Sequence, residues 1–457
     1  MIYAPHPHQI ITRDFLRERD RAGCFLSPGL GKTVALLDHV DYLFSEGMSK
    51  GVLIVAPLRV AKITWPKQIE QWDHSSWMRW VNLNTPEGME AWNEGSAQVY
   101  ITHFDTLITR QMRGKEYPGI IAKCFGKRKS VPVDTLILDE SSAFKAHDSQ
   151  RGKFLRAALP HFKRRYILTG TPAPNSYLDL QPQIRILDDG ERLGKSFHQF
   201  RQAFFDSDFC GFRWEIKKGA KEKIDAKLAD ICLTLSAEDW LKVPPCTTNI
   251  IEVTLPAPAM KAYRKMEKDF LTEIGDGEIV AVNAAVKAGK LLQMCSGAVY
   301  DEDGTTHVLH DAKIKALKKL VKELNGEPLM VFVRFKHEMA RVVEELGATV
   351  FDEDHIPEWQ AGKFKVWAAN PASMSHGLDG IQLGGRHACW LTPTYSNEQD
   401  IQANARLVRQ GQERETVIHR IIATDTIDEA VIEALRDKED GQKGLMLALK
   451  NLRLLRK

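Results

Sequence analysis

The residues best suited to chemistry in this chain are Ser27-Pro-Gly-Leu-Gly-Lys-Thr33. They follow a short apolar run, Ala22-Gly-Cys-Phe-Leu26, and precede a segment in which Val34, Leu37, Val40, Leu43, Phe44 and Met48 recur at three- and four-residue steps. Such steps lay one apolar stripe along a helix, so the loop lies between a strand and a helix. Gly29 and Gly31 let backbone N–H groups turn inward around a phosphate, and a helix opening near Gly31 adds its own free N–H groups and the positive end of its dipole. On this reading Pro28, Gly29, Leu30 and Gly31 form the cradle, Lys32 reaches the β/γ-phosphates, and the Thr33 hydroxyl holds Mg²⁺. The pattern G-x-x-x-x-G-K-[ST] is met except at its first position, where Leu26 stands. A second group is Asp139-Glu140, two carboxylates directly after the apolar run Thr135-Leu-Ile-Leu138. A carboxylate at a strand end can hold Mg²⁺ through its water shell, and its neighbour can orient a water for attack on the γ-phosphate. Alone, an acidic pair after a strand is commonly a helix-start charge. Downstream of a lysine loop it reads as the other half of a nucleotide site.

The elements that must position these groups are visible as further apolar runs. Gly51-Val-Leu-Ile-Val-Ala56 is continuous, as suits a strand buried on both faces of a parallel sheet, and it ends in Pro57-Leu-Arg59. Ligands bind beyond the carboxyl ends of such strands, so Pro57 to Val60 should face the same side as the cradle. The spacing predicts a helix over 63–72 carrying Ile63, Ile69 and Trp72, and strands at 98–102, 135–138 and 165–168, the last running into Thr169-Gly-Thr-Pro172. From 181 to 243 the strand rhythm is lost, and the aromatics Phe197, Phe200, Phe204, Phe205, Phe209, Phe212 and Trp214 read as packing for a helical insertion. Lys242-Val-Pro-Pro-Cys246 breaks either element type and marks a boundary. Strands are then predicted at 248–255, 329–333, 364–368, 387–391 and 417–422, with a helix over 312–324, which implies a second βα sheet.

Taken together, this set resembles the superfamily 2 helicases and translocases, and within them the Swi/Snf-type DNA-dependent ATPases, in a compact bacterial or phage form. The resemblance rests on His8-Gln9, SPGLGKT (27–33), LIVAPLRV (53–60) with the trailing Trp72, ITHFDTL (101–107), LILDESSAFK (136–145) and ILTGTPAPNSYLDL (167–180). Asp139-Glu140-Ser141-Ser142 stands where the family has DEAH, and Lys145 is kept. In the second half, Gln402-Ala-Asn-Ala-Arg-Leu-Val-Arg-Gln-Gly-Gln412 resembles the family's Q-x-x-x-R-x-x-R-x-G-Q motif. On a helix beginning near Asn397, Arg406 and Arg409 would be one turn apart and point from one face. Planar fixed cations of this kind suit a transferring phosphoryl group. Ser375-His-Gly-Leu-Asp-Gly-Ile-Gln-Leu383 resembles the family's glycine-rich motif with one extra residue around Asp379-Gly380.

The resemblance implies an α/β fold of two RecA-like lobes, parallel sheets flanked by helices, with helical insertions and ATP in the interlobe cleft. Lobe 1 is expected over 1–243, with its insertion from about 181, lobe 2 over 244–439, and a C-terminal helix over 440–457. ATP and Mg²⁺ are the implied cofactors. The implied catalytic residues are Lys32, Asp139, Glu140, Arg406 and Arg409, with Asp139 and Thr33 on the metal and Gln9 reading adenine. The expected nucleic-acid track is Pro57, Leu58, Arg59, Thr102, His103 and Gly377. The implied function is ATP hydrolysis driving translocation on duplex DNA. A strand-separating DNA or RNA helicase and an ATP-gated recruitment module remain as alternatives.

Composition sets wide limits. At 457 residues the chain is too long for one core. Lys plus Arg (63) exceed Asp plus Glu (60) by three, so any nucleic-acid contact must come from local patches rather than overall charge. Seven scattered cysteines without a C-x-x-C pair lead to the expectation of a reduced, intracellular protein without a zinc site. The N-terminal residues lack a basic region followed by an apolar stretch, and no uncharged apolar run is long enough to span a bilayer. A cytoplasmic monomer with no membrane partner is expected.

Overall fold

The computed structural model describes residues 1–112, 115–126, 130–174, 176–207, 214–241, 243–275, 281–301, 303–374 and 379–436. The expected helix over 440–457 and the expected contact residue Gly377 lie outside them. The chain divides into two compact units, Met1–Leu241 and Lys242–Lys457.

In the first unit, seven strands form one sheet: β1 (Arg21–Leu26), β2 (Val52–Ala56), β3 (Trp80–Asn82), β4 (Val99–His103), β5 (Thr135–Asp139), β6 (Arg164–Thr169) and β7 (Cys232–Leu235). Their order is β7-β1-β6-β5-β2-β4-β3, and every pairing is parallel. The continuous apolar runs have the expected cause. Leu53, Val55, Leu136 and Leu138 enter one core, while Val52, Ile54, Ala56 and Ile137 enter another, so both sheet faces are buried and alternation is not needed. Because all seven strands point the same way, the ends of β1, β6 and β5 are neighbours on one edge. That edge carries the lysine loop, Thr169-Gly-Thr-Pro172 and Asp139-Glu140.

Several local expectations change. The helix after the lysine loop, α2 (Lys32–Ser45; α1 is Pro7–Arg17), stops short of Met48, which is exposed. The predicted helix over 63–72 is two pieces, a π-helical turn at Val60–Thr64 followed by α3 (Trp65–Gln71). The stretch from 181 is not purely helical. Helices Phe197–Phe204 and Ala220–Leu228 flank a hairpin of Phe205–Ser207 with Trp214–Ile216, and the chain then returns to the main sheet as β7 beside β1. Phe200 and Phe205 are buried in the first unit's core, with Phe204 and Trp214 packed against it. Phe209 and Phe212 lie outside the described residues.

The second unit contains β8 (Cys246–Val253), β9 (Leu329–Phe332), β10 (Thr349–Val350), β11 (Val366–Ala369), β12 (His387–Trp390) and β13 (Thr416–Ala423), in the order β8-β13-β12-β9-β11-β10, again all parallel. Its sheet is also covered on both faces, by Val331, Ala368 and Cys389 on one and by Phe332, Trp367 and Trp390 on the other.

A chain of neutral imidazoles crosses this sheet. Asn249 Nδ2 lies 3.0 Å from His419 Nδ1, His419 Nε2 lies 3.1 Å from His387 Nδ1, and His387 Nε2 stands 3.3 Å from Glu327 Oε2. The amide N–H donates to His419 Nδ1 and His419 Nε2 donates to His387 Nδ1, so a second proton on either ring would break one of these bonds. Burial pushes His419 down to about 4, His337 likewise to about 4, and His387 in the same direction. A histidine whose folded pKa is lowered contributes stability that is complete above its unfolded value of about 6.5 and is lost as pH falls through the window below it. The buried carboxyl of Glu338, raised by burial, acts with the opposite sign, but it is one group against four, since burial lowers His310 as well. The second unit is therefore expected to lose stability between about pH 6.5 and pH 4. Denaturant midpoints of the wild type and of His419→Gln across that range check this, and the variant should have the shallower slope.

Candidate functional site

The lysine loop leaves β1 at Leu26 and enters α2 through two glycines in the left-handed region, Gly29 (φ 92°) and Gly31 (φ 67°). Gly31 caps α2, and a Cβ there would fall 2.3 Å from Gln9 Nε2. Both conformation and space thus require glycine. The same contact brings Gln9 against the loop: its Oε1 accepts from His6 N–H at 2.9 Å, which caps α1 and leaves the amide nitrogen facing Gly31. Lys32 and Thr33 are the first two residues of α2, and Lys32 Nζ donates to the Leu26 carbonyl across the loop at 2.8 Å. Gly170, from the loop after β6, packs so closely on the cradle that a Cβ would lie 3.1 Å from Pro28 Cδ.

Asp139 is the last residue of β5 and is buried. Its Oδ1 accepts from Glu140 N–H at 3.0 Å and its Oδ2 from the Trp65 indole at 3.0 Å. Burial, then repulsion from Glu140, pushes its carboxyl up to about 6, against the pull of Lys32 and the two donors. Glu140 takes a left-handed backbone conformation, φ 51°, which costs a non-glycine residue about 1–3 kcal/mol. That turn aims its carboxylate at the end of β6, where Thr169 Oγ1 donates to Glu140 Oε2 at 3.2 Å. Ser141 donates to Gln183 at 2.7 Å, and Gln183 Nε2 donates to the Pro172 carbonyl at 2.6 Å. The loops after β5 and β6 are therefore joined twice, through Glu140–Thr169 and through Ser141–Gln183–Pro172.

Of the expected track residues, Pro57, Leu58 and Arg59 follow β2, with Leu58 exposed. Thr102 is fully buried, its hydroxyl 3.0 Å from that of Thr106, so its side chain serves the loop's own shape. His103 ends β4, and burial lowers its pKa.

In the second unit the helix stops at Asn404, so Arg406 and Arg409 do not share a helix face. They lie in the turns that follow, where Arg406 N–H bonds to Ala403 O at 3.2 Å and Gln412 N–H to Arg409 O at 3.1 Å. Arg406 is buried, and Arg409 Nε is 3.6 Å from Asp379 Oδ1. Gln382 donates to the Gln410 carbonyl and Gln412 to those of Gln382 and Gly385, which locks the glycine-rich segment to the arginine segment within this unit.

A family model described as the SNF2-related domain matches residues 8–297. The chain belongs to the SNF2-related family. The match spans every first-unit group described above and continues into the second unit. Putative protein p41 of Acyrthosiphon pisum secondary endosymbiont phage 1 is 33% identical, over 98% of this chain and 99% of its own length. Chromodomain-helicase-DNA-binding protein 7 of Gallus gallus is 23% identical over 91% of this chain, which spans only 15% of that protein. The solved Sulfolobus solfataricus SWI2/SNF2 ATPase core in complex with dsDNA aligns with 17% identity and a TM-score of 0.45, covering 99% of this chain and 95% of its own. As a SNF2-related protein the chain is a P-loop ATPase and an ATP-dependent nucleic-acid motor of the Swi/Snf type.

Trp65 and Gln183 are absent from the residues expected from sequence. The signal for Trp65 was available in principle, since a buried indole N–H needs an acceptor. Nothing in the spacing pointed to which one.

Proposed function

We propose that this SNF2-related motor hydrolyses MgATP in order to translocate along duplex DNA. The observation that carries the reading is the meeting, on one edge of one parallel sheet, of a glycine-built lysine loop, a buried carboxylate and a second carboxylate held by strained backbone. The donor set suits a nucleotide with magnesium: a lysine and a hydroxyl on the first turn of α2, with a buried Asp139 at the end of β5, two strands along the same sheet edge from β1. Bound Mg²⁺ would neutralise charge on the phosphoryl oxygens. Lys32 holds the phosphates, Thr33 and Asp139 take the metal side, and Glu140 orients the attacking water. Gln9 reads adenine, while Arg406 and Arg409 supply cations for the charge on the transferring group. Pro57, Leu58, Arg59 and His103 are proposed to meet the DNA backbone, with Thr102 shaping that loop. Among the described residues no helix is long and apolar enough to cross a membrane. A monomer working in the cytoplasm of a bacterium or a phage-infected cell is the proposed setting, supported by the phage relative.

The test is steady-state ATP hydrolysis without nucleic acid and with single-stranded DNA, duplex DNA or RNA. Duplex DNA is expected to give the highest rate, with stimulation that weakens as salt rises because phosphate contacts release counterions. The same protein should displace the third strand of a triplex without separating the duplex beneath it. Highest stimulation by single strands or RNA would overturn the duplex reading in favour of an unwinding helicase. Hydrolysis indifferent to every nucleic acid would favour a recruitment module.

A further inference from the structure

We propose that Trp65 is a positioning residue that ties the loop Pro57, Leu58 and Arg59 to Asp139, so that DNA seated on that loop changes how the metal-side carboxylate is held. The inference rests on the functional reading above.

Trp65 is fully buried, and its indole N–H donates to Asp139 Oδ2, a residue 74 positions further along the chain. The other oxygen of Asp139 already accepts from the backbone of Glu140, so the indole is what fixes the second one. A phenyl ring would supply the packing, whereas the N–H supplies a hydrogen bond to a charged group. The ring is carried by an unusual piece of backbone. Arg59 caps the π-helical turn Val60–Thr64, Ala61 N–H bonds to Pro57 O at 2.8 Å, and Trp65 N–H bonds to Val60 O. Two overlapping backbone bonds therefore run from Pro57, beside the exposed Leu58, to the residue that touches Asp139. Single π turns inside helices are energetically poor and recur at functional sites. Conversion to α geometry would rotate every residue after the turn, and Trp65 is the first of them. The outer side of the segment, Leu58 and Ile63, is exposed, while Val60, Ala61 and Trp65 are buried, so a load on the outside reaches the indole.

The test uses the full chain. Each of the ten tryptophans contributes one indole ¹⁵N–¹H resonance, and that of Trp65 is assigned by its loss in Trp65→Phe. In the nucleotide-free wild type, saturating duplex DNA is expected to shift this resonance. In Trp65→Phe, the ratio of duplex-stimulated to unstimulated ATPase is expected to fall about tenfold, the scale of one hydrogen bond to a charged group, with duplex affinity by anisotropy unchanged. An unmoved resonance at saturation, or an unchanged ratio in a folded Trp65→Phe, overturns the inference. If the variant does not fold, the Trp65 indole is assigned in the wild type by triple-resonance connectivity from its own backbone amide, and its response to duplex DNA decides. A wild type that neither binds duplex nor responds to it in ATPase fails the functional reading itself, which the wild type reports without any variant.

Discussion

Glu140→Gln is expected to lower ATP turnover by about 10²- to 10⁴-fold, the range that a positioned proton acceptor contributes, while nucleotide binding persists. The amide keeps the size of the side chain and one acceptor for the Thr169 hydroxyl, which donates to Glu140 Oε2 at 3.2 Å. What disappears is the charge and the basicity. The backbone around the residue is already committed to φ 51°, so the substitution should not relocate the side chain. Two controls make the result specific. Nucleotide affinity measured by calorimetry should be close to that of the wild type, and the melting temperature should not fall. Turnover that survives within a few-fold would mean that another group positions the water, and the assignment of Glu140 would be abandoned.

The second large effect concerns stability. Lys313→Met is expected to destabilise the second unit by about 3–5 kcal/mol, as when one partner is removed from a buried ion pair. Lys313 and Asp428 are both fully buried, with Nζ 2.6 Å from Oδ2, and Nζ also donates to the Leu391 carbonyl at 2.9 Å. Asp428 in turn accepts from Ala423 N–H at 2.9 Å. Methionine fills nearly the same volume, so the cost is not a cavity but a carboxylate left in a low-dielectric interior without its cation. Burial pushes the Glu338 carboxyl up, and the positive charge of Lys313 works against that rise, so two acids lose their counter-charge. Hydrogen exchange along β9 and denaturant unfolding of the full chain would both read the loss. The double variant Lys313→Met/Asp428→Leu should recover most of it, because an apolar pair of similar volume removes the desolvation cost on both sides. Failure of the double variant to recover would mean that the hydrogen bonds to Leu391 O and Ala423 N–H, rather than the pairing of charges, hold this region.

Much of this architecture is already present in local sequence. β1, β2, β5 and β6 are covered on both faces, so each contains an unbroken apolar stretch, only Tyr166-Ile-Leu168 in β6, that needs no partner to be recognised. The lysine loop is equally local, since the glycines, the lysine and the helix that uses them are adjacent in the chain. The strands of the two main sheets that were not legible are all edges, β3, with three half-buried residues, β7, with four residues largely half-exposed, and β10, with two, while the fourth edge, β8, was expected from its β-branched residues. An edge strand lacks one neighbour and part of its cover, so composition does not mark it.

Periodicity misleads where the backbone departs from a regular helix. The π turn at Val60–Thr64 widens one turn and shifts the phase of everything after it, so Ile63, counted as core from the spacing, is exposed and Trp65 is buried. In the second unit the R-x-x-R spacing suits a helix face, but the helix ends at Asn404 and both arginines lie in turns held by Gln382 and Gln412. By itself the sequence determined the parallel α/β class, the phosphate loop and the acidic pair, because each rests on residues adjacent in the chain. Only the tertiary structure decided which groups hold the acidic pair. Trp65 lies 74 positions before Asp139, and Gln183 lies 42 positions after Ser141. Their donors and acceptors meet only because parallel strands bring distant segments to one edge of a sheet.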